Sequence, residues 1–275
     1  MTYDKITTMR KILILFLMCL MGASAKAQCN FRNTAFKSGE YLSYNLYFNW
    51  KFVWIKVGTA SMNTVQSHYN GKQAYRSSLI TRGNSKADRF FVLRDTLLCY
   101  STLDLAPLYY HKGAHEGDRY YTDEVFYSYP EGRCHVRQHQ INHKGESKWQ
   151  QHTYSECVFD MLNIFLRARS FNPSNWKKGY TVNFSIVDGD SKEDAMLKYN
   201  GKKIIKADNG HSYRTLQVSY MEKEDGKYKR IVDFFISDDS NHVPVRLDMF
   251  LRFGSAKAYM SGLQGVRSAL TSMVK

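Results

Sequence analysis

The sequence predicts a mainly β protein, a strongly curved antiparallel sheet or open β-barrel packed around one mid-chain helix. Three observations predict it. Apolar and polar residues alternate with period two through most of the chain. Hairpin-forming dipeptides punctuate that alternation at short, regular intervals. One apolar segment, Cys157 to Arg169, carries neither signal and has helical spacing instead. Composition agrees: 15% of residues are aromatic and only 4 are proline, a balance that favours strands and leaves enough apolar mass for a core.

The first stretch is an address rather than a fold element. Lys5, Arg10 and Lys11 precede the apolar run Ile12 to Met21, and Ala25-Lys26-Ala27 places small residues where a signal peptidase reads them. The apolar run is shorter than the roughly 20 residues a membrane-spanning helix needs. Residues 1–27 are therefore expected to be a secretory signal peptide, with no transmembrane segment left after its removal. A retained anchor is the competing reading. Lipid attachment is a second one, although Cys29 follows Gln28 and Cys19 follows Met18, and neither neighbour is small.

Glu40 to Trp50 opens the sheet, with Leu42, Tyr44, Leu46, Phe48 and Trp50 on one face. Trp54 to Val65 follows, and Gly58 inside it marks a bulge, a bend or a close approach. Asn70-Gly71 joins Met62–His68 to Lys72–Thr81 as a hairpin. Phe90–Tyr100, Leu108–Lys112, Arg119–Tyr129, Arg133–Ile141 and Glu146–His152 continue an antiparallel meander through turns at Pro130-Glu131-Gly132 and His143-Lys144-Gly145.

The helix is expected over Cys157–Arg169, capped by Ser155, with Arg167 and Arg169 at its negative end. Cys157, Met161, Ile164, Phe165 and Ala168 fall on one face, and Phe159, Leu162 and Leu166 widen it enough to predict burial. Asp160 is the polar exception, expected to pair with an arginine or a backbone donor. Strands resume over Tyr180–Val187, Ala195–Tyr199, Lys202–Ala207, Ser212–Met221, Lys227–Ile236 and His242–Phe253. Their turns are Asn200-Gly201, Asp208-Asn209-Gly210 and Glu224-Asp225-Gly226. Ser255–Met260 makes a last strand, and Gly262–Lys275 a tail or a frayed helix. No linker divides the chain, so residues 28–275 are expected to form one β-rich domain with its core over 38–260; two sub-sheets meeting near residue 170 are the alternative.

The whole chain carries a formal charge of +14. Subtracting Lys5, Arg10, Lys11, Lys26 and Asp4 leaves about +11, which reads first as a soluble basic surface and second as one suited to anionic lipid or acidic glycan. The basic residues are scattered and form no tract, so no nucleic-acid partner is expected. Cys29, Cys99, Cys134 and Cys157 allow three pairings, and export permits disulfides. Cys157, at the head of an apolar helix, reads as a buried thiol.

Chemistry leaves few signals. Walker, dinucleotide-binding and serine-hydrolase elbow motifs are all missing from the sequence. Six histidines lie between His111 and His152. His135 and His139, however, sit on a predicted strand, where four residues at about 3.3 Å each put them roughly 13 Å apart. One metal with bonds near 2 Å cannot bridge them. No metal, cofactor or catalytic residue is assigned. The best binding feature is aromatic: Tyr44, Phe48, Trp50, Phe52 and Trp54 around the first turn, together with Phe165 on the helix, are the expected ligand-binding residues. Rings plugging the end of the barrel are the competing reading.

Three blocks resemble the exported bacterial proteins of the domain of unknown function 3108 family. They are Ser38-Gly39-Glu40-Tyr41-Leu42-Ser43-Tyr44 through Val57-Gly58-Thr59-Ala60; Asp160-Met161-Leu162 with Leu166-Arg167; and Ile236-Ser237-Asp238-Asp239 with Pro244-Val245-Arg246 and Gly254-Ser255-Ala256-Lys257-Ala258. The region His111 to His152 has no counterpart in those blocks. The resemblance implies an envelope protein without an assigned reaction, and an architecture similar to lipoprotein carriers, whose curved sheet wraps a helix. The function expected is non-enzymatic: an exported protein of the periplasm or cell envelope, in soluble or lipid-anchored form. It would bind a hydrophobic or amphipathic, lipid-like ligand, or an envelope partner, in its concave face. The alternatives are an envelope hydrolase or glycan-active enzyme using histidines and carboxylates, and a structural or assembly protein without ligand.

Overall fold

The computed structural model describes residues 29–50, 53–89, 91–189, 191–251 and 254–274. The signal segment 1–27 lies outside them. Among the described residues, sixteen strands form one sheet around a single α-helix. The strands are β1 (Glu40–Trp50), β2 (Val53–Tyr69), β3 (Lys72–Gly83), β4 (Leu93–Ser101), β5 (Pro107–Glu116), β6 (Arg119–Ser128), β7 (Cys134–Ile141), β8 (Ser147–Tyr154) and β9 (Val158–Phe159). After helix α1 (Met161–Ala168) come β10 (Thr181–Asp188), β11 (Ser191–Lys206), β12 (Ser212–Glu224), β13 (Lys227–Ser237), β14 (Pro244–Leu251), β15 (Gly254–Gln264) and β16 (Met273–Val274).

Spatial order follows chain order except at one seam. β8 back to β1 form a meander, β1 pairs with β15, and β15 back to β9 complete the row, with β16 pairing β12 at the side. Among the described residues all ladders are antiparallel except the two-residue parallel pairing of β9 with β10. The result is nearly closed and barrel-shaped. Its free ends meet where Gln138 of β7 donates to the Gly189 carbonyl at the end of β10, and where Lys192 pairs with Glu156 at 2.5 Å.

Local chemistry explains the elements. β1 alternates as expected: Leu42, Tyr44 and Leu46 are buried while Tyr41, Ser43 and Asn45 are not. Asn70 and Gly71 both take positive φ (50° and 78°), the conformation a tight hairpin needs. Gly58 is a close approach: a Cβ there would strike the Arg82 carbonyl of β3.

Four expectations need correction. Asn200-Gly201 is not a hairpin; β11 runs through it, with a register shift against β12 and the Asn200 side chain donating to Ser219 Oγ at 2.7 Å. The dipeptide supplies a bulge, a use local sequence does not distinguish from a turn. The helix does not begin at Cys157 under a Ser155 cap. β9 occupies those positions, and Asp160 caps α1 by accepting from the Leu162 and Asn163 backbone N–H groups at 3.0 and 2.8 Å. Cys157 is no thiol: it is joined to Cys29, which ties the N-terminal segment to the entry of α1. That sulfur is consumed, so Cys29 is not free for lipid attachment; Cys19 lies outside the described residues. Finally, the tail is ordered: β16 pairs with β12, and Ser272 Oγ donates to Asp239 at 2.5 Å.

Candidate functional site

Helix α1 sits in the concavity and divides it. Leu162 and Leu166 join the main core with Leu42, Tyr44, Met62, Cys99, Tyr110, Val125 and Val136. The opposite side of the helix faces β10–β13. There Met161, Phe165 and Ala168 oppose Trp176, Phe184, Leu197, Val218, Phe234 and Ile236 across an apolar recess of about 60 Å³. The Phe165 and Phe234 ring centroids are 5.9 Å apart. Ile164 and Phe184 also line a wider cleft of about 740 Å³ next to this recess, walled by Phe159, Phe171, Val182 and Ala195, with Glu156, Arg167, Asn183 and Asp194 among its polar groups.

The charges of the cleft are unequal in their pairing. Glu156 is bound by Lys192 at 2.5 Å, and Asp194 by Lys223 at 3.4 Å. Arg167 donates to the Cys29 carbonyl at 2.6 Å and lies over the rings of Phe31 and Phe159, at 4.6 and 5.0 Å. Among the described residues no carboxylate pairs with it. Burial pushes its pKa down to about 10, the mark of a cation held away from water without a counter-ion. The site is thus an apolar trough whose wall carries one guanidinium with no carboxylate partner among the described residues.

Asp160 is fully used. Besides the two backbone amides it accepts from Asn163 Nδ2 at 2.6 Å and Tyr127 OH at 3.0 Å, and burial raises its carboxyl to about 6. The expected pairing with backbone donors is what the structure shows.

Of the expected ligand-binding residues, those described occupy three places. Phe165 lines the recess. Tyr44 is buried in the main core and donates to the Pro244 carbonyl at 3.0 Å. Phe48 lies on the same face of β1 as Leu46. Trp50 closes β1, and Phe52 lies outside the described residues. Trp54 is 37% exposed, with Lys257 Nζ over its ring at 4.2 Å. Val53, Ile55, Phe250 and Leu251 are also exposed at this end of the sheet, where the β1–β2 and β14–β15 ladders end. The histidines do not converge with Asp160. His111 and His139 meet Glu124 on the outer face, at 4.0 and 3.0 Å, while Asp160 is internal. No group of three metal-ligating side chains is assembled among the described residues.

Sequence reasoning took Arg167 for a helix-end charge and passed over Trp176. The proximity of Trp176 to Tyr180 in a loop rich in turn residues was the available signal; the two rings stack at 5.3 Å.

Residues 43–261 match the family described as protein of unknown function (DUF3108). This chain belongs to that family. The His111–His152 hairpins lie within the matched range. Among solved structures, the fold is similar to a β-barrel-like protein of domain of unknown function DUF1849 from Brucella abortus. The identity is 9% and the TM-score 0.51, covering 84% of this chain and 99% of that one. A proposed lipoprotein from Parabacteroides distasonis aligns at 9% identity and TM-score 0.38, over 86% and 99% of the two chains. No curated protein matches the sequence.

Proposed function

We propose that this protein is exported to the cell envelope, where residues 28–275 act without catalysis as one β domain that binds an amphipathic, lipid-like ligand between α1 and β10–β13. The observation that carries the reading is the apolar recess around Phe165 next to a cleft, sharing Ile164 and Phe184 with it, whose Arg167 has no carboxylate partner among the described residues. An acyl chain takes the apolar wall and an anionic headgroup takes the guanidinium. The Cys29–Cys157 bond supports an oxidising compartment. The exposed Val53, Trp54, Ile55, Phe250 and Leu251 support a lipid surface as the place of exchange, with Lys257 and Arg230 lying over two of those rings.

The test is native mass spectrometry of the protein purified from an envelope extract, followed by titration with a fluorescent fatty acid. A stoichiometric lipid is expected, with binding weakened about tenfold in Phe165→Asp and in Arg167→Gln. A protein that emerges empty and takes up no fatty acid overturns the reading.

A further inference from the structure

The outer face of the other half of the sheet carries an ordered surface that the groove does not explain. In an antiparallel sheet, residues directly opposite one another share a face. The registers of β3 to β8 therefore define cross-strand rows. One row is Arg76, Tyr100, Tyr109, Phe126, Arg137 and Gln151. The adjacent row is Ser78, Leu98, His111, Glu124, His139 and Trp149. None of these twelve residues is buried, and Trp149 is 52% exposed.

The rings form a continuous chain: Tyr100 to Tyr109 at 6.4 Å, Tyr109 to Phe126 at 5.1 Å, Phe126 to Trp149 at 6.0 Å, and Trp149 flat on His139 at 4.1 Å. Arg137 lies over both Phe126 and Trp149, at 5.1 and 5.0 Å. Stacking occupies the face of its guanidinium and leaves the N–H edge for an oxygen acceptor. No carboxylate pairs with it among the described residues. Glu124, the single acid in the two rows, is already engaged by Tyr109 OH at 2.5 Å and by His139 at 3.0 Å.

We propose that this strip binds a linear acidic polysaccharide. Six strands spaced by about 4.8 Å make it roughly 24 Å long, and two rows make it about 7 Å wide. That is on the order of 200 Å², far below the ~800 Å² per partner of a stable protein interface, and its shape is that of a single extended polymer. Ring carbons suit the apolar face of pyranoses, and the flanking Tyr, His, Ser and Gln groups suit their hydroxyls. Arg76 and Arg137, four strands apart, are placed for carboxylates along the chain. The inference shares with the proposed function only the exported location; it does not depend on the groove.

Affinity electrophoresis of the disulfide-bonded protein through gels containing polygalacturonate, dextran or single-stranded DNA tests it. Retardation by polygalacturonate and not by dextran is expected. Arg137→Ala and Trp149→Ala should each weaken it about tenfold while melting as cooperatively as the parent. Lys227→Ala, which removes the same charge from an exposed position on β13, should leave it unchanged. Absent retardation by polygalacturonate, equal retardation by dextran, stronger retardation by DNA, or equal losses in Arg137→Ala and Lys227→Ala would each overturn the proposal.

Discussion

The two halves of the sheet obey the same period-two alternation and fill their concave faces differently. From β1 to β7 the inward positions hold Leu42, Tyr44, Met62, Cys99, Tyr110, Val125 and Val136, all buried and part of one core with Leu162 and Leu166 of α1. From β10 to β13 the inward positions are as apolar, and Ile164 of α1 packs there with Ile186, Ala195 and Tyr220, yet a recess remains around Phe165. The helix is thus a wedge driven closer to one wall than the other. Stability is concentrated where packing is complete, and space for a ligand lies where it is not. The outer faces reverse the pattern, with the aromatic rows lying over the filled half.

The strongest way to break this comparison is to remove what joins the halves. Arg169, at the end of α1, donates to Glu40 of β1 at 2.5 and 2.9 Å and to the Asn241 carbonyl at 3.0 Å, and all of these groups are buried. Arg169→Met strands the Glu40 carboxylate in the interior and should cost about 3–5 kcal/mol in urea unfolding. Arg169→Met with Glu40→Leu should recover much of that loss, because no unpaired charge remains. The transition should stay single, since β1 hydrogen-bonds to β15 and makes one sheet of both halves. Two separated transitions would show that the halves are independent and the comparison is one of two domains.

A smaller change sharpens the comparison by testing the two faces of the helix. Leu162 is 2% exposed in the filled half, whereas Met161 is 41% exposed at the recess. Leu162→Ala should cost about 2–5 kcal/mol by opening a cavity. Met161→Ala should cost under about 1 kcal/mol and should change lipid uptake more than stability. Equal losses would mean that the recess collapses around α1 in solution and the asymmetry carries no function.

What the sequence revealed follows the same division between local and non-local causes. The strand Glu40–Trp50, the turn Asn70-Gly71 and the burial of the segment around Leu162 were legible because alternation and turn chemistry act over a few residues. The start of α1 was not. β9 exists only because Val158 and Phe159 pair with Ser185 and Ile186, more than twenty residues later, and because Cys157 reaches back to Cys29. Phe165 could be placed on the helix from its spacing. The facing wall, Phe184, Val218 and Phe234, needed the sheet order. The aromatic rows needed five registers at once, so His139 and Trp149 read only as scattered residues.

The smallest effect probes the point where α1 meets the filled half. Asp160 caps the helix from inside the core, and burial lifts its carboxyl from 3.8 to about 6. A carboxyl whose folded pKa exceeds its unfolded one makes the fold bind the extra proton, so its contribution is greatest below about pH 4 and is lost as pH rises through 6. Glu124 and Glu156, held below their usual range by hydrogen bonds and neighbouring cations, run the other way and lose stability as pH falls. The net curve is therefore shallow, and the signal lies in a difference. Asp160→Asn keeps an oxygen to cap Leu162 and Asn163 but has no proton to gain. The melting temperature of the parent minus that of Asp160→Asn should increase steadily from pH 7 to pH 4. A constant difference across that range would show that Asp160 titrates as an exposed carboxyl, and that the end of α1 in the filled half is open to water as the recess is.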